Sequence, residues 1–137
     1  MQPRLIFVYN AASGRVNVIK DILHKILSPH TYPCSLCDLT YGVFKERGEW
    51  VRFRESVAQN RPDLHLEFLH VDEFYQAHRE LSLVYDTLPV VIYIENGNHR
   101  ELITASEMNK MLTVTELIHT LNQKLNLAAL HAAQPNN

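Results

Sequence analysis

Apolar and polar positions follow two periods along this chain, and the switches between them outline its elements. Leu5-Ile6-Phe7-Val8-Tyr9 is an unbroken β-branched and aromatic run, closed by Asn10-Ala11-Ala12-Ser13-Gly14. A short, wholly apolar run predicts a strand covered on both faces, as at the centre of a sheet. Ile19, Ile22, Leu23, Ile26 and Leu27 then recur at helical spacing, with Lys20, Asp21, His24 and Lys25 between them. That spacing predicts an amphipathic helix over residues 14–27, stopped by Ser28-Pro29.

Residues 28–44, SPHTYPCSLCDLTYGVF, contain Pro29, Pro33 and Gly42 and keep no clear period, and are expected to form an ordered loop. A second helix is predicted over residues 45–60, with Trp50, Phe53 and Val57 on its apolar side and Arg61-Pro62-Asp63 ending it. Leu64, Leu66 and Phe68 alternate with His65 and Glu67, a strand pattern that continues into Leu69 and Val71. Asp72 is read as the cap of a short helix through Phe74, Ala77 and Leu81. Residues 87–95, TLPVVIYIE, form another apolar strand, and Asn96-Gly97 is a strong hairpin signal leading to a fourth strand over residues 100–104. Thr113 and Glu116 have capping-box spacing and open a last helix with Val114, Leu117, Ile118, Leu121 and Leu125 on its apolar face.

Composition fits one domain. The chain has 137 residues, a formal charge of −2, 46% apolar and 20% charged residues, enough for a single core. We expect that domain to span residues 1–130, with a flexible tail over residues 131–137. No apolar run approaches the ~18–20 residues of a bilayer crossing. The N-terminal stretch reads as a first strand rather than a signal peptide, and the expected location is cytoplasmic. The balanced charge carries no specific nucleic-acid or membrane signal. Lys45, Arg47, Arg52 and Arg54 interleave with Trp50 and Phe53, but Glu46, Glu49 and Glu55 cancel most of that charge, so a solvated helix with one apolar face is the preferred reading.

The predicted order is strand, helix, loop and helix, strand, helix, then two hairpin strands and a terminal helix, with Pro89 at the start of the third strand. In that order, and in the run LPVVIYIENG, the chain resembles the thioredoxin-like fold. The resemblance implies a mixed four-stranded α/β sheet flanked by helices, with a Cys-bearing loop-helix insertion after the first helix, about residues 29–63. It also implies a cis Leu88–Pro89 bond beside a partner groove. One departure stands out. The family's Cys-x-x-Cys follows its first strand, where a helix dipole lowers the thiol pKa, and here Asn10-Ala11-Ala12-Ser13-Gly14 holds that place. The run SPHTYPCSLCDLTYG, residues 28–42, is also similar to one in a family of small bacterial proteins, a likeness that adds no mechanism.

Candidate chemistry centres on the two cysteines, Cys34-Ser35-Leu36-Cys37. Cys-x-x-Cys spacing brings two sulfurs close enough to form a disulfide or to share a metal ion. The string His24-x5-His30-x3-Cys34-x2-Cys37 offers four ligands that tetrahedral zinc accepts, although in no established finger spacing. The cysteines are expected to follow the C-terminus of the first helix, remote from Pro89. That end of a helix is negative, which favours a cation over a reactive thiolate. The leading expectation is therefore thiolate metal binding by Cys34, Cys37, His24 and His30, zinc being the fitting metal and structural ordering of the loop a role open to it. The enzyme alternative is a thiol–disulfide oxidoreductase with Cys34 attacking, Cys37 resolving and Pro89 shaping the groove. Inert packing of the two thiols, in an interaction scaffold that uses the edge strand 100–104 or the Trp50 helix, is the third reading. Asn10 to Gly14 is read as an ordinary βα turn with Ser13 as helix N-cap, since GxxxxGK[ST] is absent, and no hydrolase motif occurs.

Overall fold

A computed structural model describes residues 2–13, 23, 27, 34–42 and 45–133. Four strands, β1 (Arg4–Val8), β2 (His65–Leu69), β3 (Val90–Glu95) and β4 (Asn98–Ile103), form one mixed sheet in the order β2-β1-β3-β4. Besides the helical residues Leu23 and Leu27, the described helices are α1 (Ser35–Thr40), α2 (Gly48–Asn60), α3 (Val71–Ala77), α4 (Arg79–Val84), α5 (Ala105–Asn109) and α6 (Val114–Ala133). β1 runs parallel to β2, with Leu5 opposite Leu66, and antiparallel to β3, with Val8 opposite Val90. This is a small α/β domain whose sheet is compatible with the resemblance noted above. The Leu88–Pro89 bond is cis.

The central place of β1 explains its unbroken apolar run. Leu5, Phe7 and Tyr9 enter one core with Val91, Tyr93 and Ile103, under Leu36 of α1, Trp50 of α2, Met108 of α5 and Leu117 of α6. Ile6 and Val8 point the other way and meet Val90, Ile92 and Phe74 of α3. Two dry faces require two apolar sets, so alternation disappears from the strand. Each large side chain fully buried here contributes about 1.5–3 kcal/mol.

Several boundaries differ from the sequence expectations. The loop predicted over residues 28–44 contains helix α1, too short for a period to register, whose Leu36 and Leu39 are buried. α2 begins at Gly48, and its Trp50 belongs to the main core. The helix expected from Asp72 is two helices that meet at His78, whose ring lies 3.0 Å from Glu67 of β2, and it starts after His70, with Asp72 already inside its first turn. Thr104 and Glu107 cap the unexpected α5 by mutual bonds of 3.1 Å. Of the apolar residues predicted to face inward from residues 14–27, Leu23 and Leu27 are described, and both are helical but 51% and 76% exposed. Ser13 donates from its backbone and its hydroxyl to Asp72 of α3. The backbone of α6 is helical to Ala133, past the start of the expected tail.

The Asn-Gly turn takes the conformation its residues favour, Asn96 at φ 53° and Gly97 at φ 79°. β4 forms one edge of the sheet, and Asn98 to Glu101 are exposed along it. Among the described residues no helix is long and apolar enough to cross a membrane.

Candidate functional site

Cys34 and Cys37 are joined in a disulfide, with Cα atoms 5.2 Å apart. Their spacing makes this local: one helical turn sets residues i and i+3 side by side. Cys34 is the N-cap residue of α1, in extended conformation, and its Sγ accepts the backbone N–H of Cys37 at 3.1 Å. The same sulfur accepts the backbone N–H of Asn10 at 3.3 Å. At the other end of α1, the Arg47 guanidinium donates to the carbonyl of Asp38 at 3.0 Å, and Thr40 donates its hydroxyl to the Leu36 carbonyl at 2.8 Å. The helix is thus held at both ends.

The position of the pair differs from the sequence expectation in two respects. The cysteines come after the helical residues Leu23 and Leu27, as expected, but they open a further helix, α1, and they sit at the end of β1, since Asn10 lies two residues beyond Val8. Because β1 and β3 are antiparallel with Val8 opposite Val90, that end of β1 is the beginning of β3, where Pro89 is buried. Sulfurs and proline share one end of the sheet. The sequence argument set the pair remote from Pro89 because it could not see α1, whose N-terminus the pair forms.

His24 and His30 lie outside the described residues. Among the described residues no group of three or more His, Cys, Asp or Glu side chains is arranged to hold a metal ion.

Next to the C-terminal end of α1, where Tyr41 caps it, lies a cleft of about 300 Å³, lined by Tyr9, Tyr41, Glu46, Arg54, Phe68 and His70. Tyr41 follows α1 and donates its N–H to the Cys37 carbonyl at 2.9 Å. A bridge from Tyr41 to Glu46 turns the chain back toward α2, where Arg54 grips Glu46 through two bonds of 2.8 and 2.9 Å. Burial pushes the Tyr9 phenol well above the usual tyrosine range. The neighbouring Tyr41 and the Glu46 carboxylate add to this, while Thr40 and Arg54 oppose it. Tyr41 is raised too, first by burial and then by Glu46, with Arg54 opposing. Both phenols are therefore neutral donors at physiological pH. Sequence spacing could not expose this cluster, because its members come from the residue after β1, the α1–α2 turn, α2, β2 and the entry to α3. The signal lies in tertiary proximity alone.

A second cleft of about 270 Å³ flanks the start of β3 and the end of β4, with Tyr85, Asp86, Thr87 and Thr104 among its walls. Comparison of the chain with protein-family models, with curated proteins and with solved structures found no match.

Proposed function

We propose that this chain is a thioredoxin-like domain whose Cys34–Cys37 pair exchanges its disulfide with the thiols of partner molecules. The observation that carries the reading is the bonded sulfur pair with two backbone N–H groups on Cys34 Sγ. Those donors hold a neutral disulfide sulfur weakly and a thiolate strongly, because a hydrogen bond to a charged acceptor is roughly twice as strong as one to a neutral acceptor. Reduction therefore delivers charge to a place already built to receive it. The sheet order β2-β1-β3-β4, with β1 parallel to β2 and the β3–β4 hairpin antiparallel, supports the fold assignment.

On this reading residues 34–60 act as the core helical segment after β1, since α2 supplies Trp50 to the main core. In the cytosol, the location we propose, the glutathione pool and thioredoxin systems would reduce the pair after each oxidation event. Thiolate metal binding by Cys34 and Cys37 is the competing use of the same sulfurs, and each would need to be free and deprotonated.

Equilibration of the full chain in dithiol–disulfide buffers, with elemental analysis of the reduced form, tests the proposal. The expected result is a reversible two-electron transition of the Cys34–Cys37 pair and no stoichiometric metal. Zinc at one equivalent, lost together with shielding of both thiols on chelation, would overturn it in favour of the metal reading. A disulfide that small dithiols reduce only after the protein unfolds would overturn both.

A further inference from the structure

The cleft at the C-terminal end of α1 gathers aromatic rings from segments far apart in the chain. Tyr9 and Tyr41 meet edge to face, with ring centres 6.3 Å apart and planes at 78°, and His70 lies 5.5 Å from Tyr9 at 41°. With Phe68 these rings line a space of about 300 Å³. Ligand pockets run from about 300 to 1,000 Å³, so this one suits a single substituted ring rather than a dinucleotide.

Charge in the cleft is already balanced. Glu46 holds Nε and Nη2 of Arg54 at 2.9 and 2.8 Å, one on each carboxylate oxygen. Glu73 lies 2.6 Å from Nδ1 of His70. An incoming cation therefore finds Glu46 engaged, and an incoming anion meets the Glu46 charge beside Arg54. What stays open is a pair of donors. Among the described residues, Arg54 Nη1 and the Tyr41 hydroxyl have no hydrogen-bond partner. Burial holds the Tyr41 phenol above its ordinary range, so it keeps its proton to donate. The Tyr9 hydroxyl, by contrast, has Thr40 beside it.

We propose that this cleft binds an uncharged aromatic molecule carrying a carbonyl-type oxygen, which accepts from the Tyr41 hydroxyl and Arg54 Nη1 while its ring packs against Tyr9, Tyr41, Phe68 and His70. Edge-to-face and offset contacts between such rings strengthen binding beyond the area they cover. No sulfur takes part, so the site stands whether or not the Cys34–Cys37 pair exchanges.

Amide NMR titration of the full chain with four probes of similar size tests this: benzamide, benzoate, benzylammonium and cyclohexanecarboxamide. Benzamide should shift the amides around Tyr41, Glu46 and His70 saturably, with a dissociation constant on the order of 1–10 mM for so small a probe. The two charged probes and the non-aromatic amide should each bind several-fold more weakly. Tyr41→Phe, which keeps the ring and removes only the hydroxyl, should weaken benzamide about three- to tenfold, the range for one neutral hydrogen bond. An unchanged affinity in Tyr41→Phe would overturn the donor assignment. Benzoate or benzylammonium binding as tightly as benzamide would overturn the selection for an uncharged ligand, and equal binding of cyclohexanecarboxamide would overturn the aromatic one. Shifts from benzamide that never saturate, or that fall away from the cleft, would overturn the site itself.

Discussion

Asn10 donates its backbone N–H to Cys34 Sγ at 3.3 Å, across 24 positions of the chain. This contact fixes the start of α1 to the end of β1 without a side chain from Asn10. Any residue that keeps a free amide there preserves it. Cys34 Sγ also accepts from Cys37 N, so one sulfur caps α1 and ties it to the sheet.

The cap predicts an ordering among substitutions. Under reducing conditions Cys34→Ser retains an acceptor at the N-cap, whereas Cys34→Ala removes it. Cys34→Ala should therefore unfold in urea with a stability about 1 kcal/mol below that of Cys34→Ser. Equal stabilities would mean that the sulfur contributes no capping.

Trp50, the single tryptophan, is 0% exposed and meets Phe7 edge-on at 5.4 Å, with Phe53 and Phe68 around it. Among the described residues its Nε1 is buried without a hydrogen-bond partner, so little polar bonding is lost on replacement. Trp50→Phe should cost roughly 1–2 kcal/mol and Trp50→Ala about 3–5 kcal/mol by denaturant unfolding. A Phe variant as unstable as the Ala variant would show that a phenyl ring does not replace the packing of the indole.

Alkaline stability should depend on two buried phenols. Burial pushes Tyr93 up to about 12, aided by the Glu95 carboxylate that accepts its hydroxyl at 2.7 Å, and burial also raises Tyr9. An unfolded tyrosine ionises near ~10. Raised acids bind protons more tightly when folded, so their contribution is complete below pH ~10 and is lost as pH climbs through the folded values. Urea midpoints measured between pH 9 and 12 should fall for the wild type, and Tyr9→Phe should flatten that slope by about one proton. An unchanged slope in the variant would sink the assignment.

Two glycines should respond with opposite signs. Gly97 sits at φ 79°, and a methyl group there would meet nothing within 4 Å, so Gly97→Ala should lose about 1–2 kcal/mol through the backbone alone. Gly48 opens α2, where an added Cβ would lie 3.2 Å from the movable end of Arg52. Gly48→Ala should gain about 0.4–1 kcal/mol in thermal or urea unfolding. A Gly97→Ala protein as stable as wild type would remove the turn assignment.

Much of the sheet is readable from local pattern. The apolar runs at Leu5 to Tyr9 and Val90 to Ile94, the Asn-Gly turn and the Leu117–Leu121–Leu125 stripe of α6 all lie where periodicity put them. α1 escaped because six residues complete too few turns to display a period, and the break between α3 and α4 has neither Gly nor Pro to announce it. α5 carried a readable signal, Thr104 and Glu107 at capping-box spacing, but no apolar run followed it.

The sequence by itself determined that two sulfurs would meet, because a Cys-x-x-Cys turn brings them together through covalent geometry and one helical step. It also determined which strands would be dry on both faces, through the composition of each run. Only the tertiary structure decided which helix end holds the sulfurs, that the Asn10 amide reaches one of them, and that this happens where β3 begins. These are contacts between segments far apart in the chain, and they depend on the antiparallel register of β1 against β3, which no local window contains.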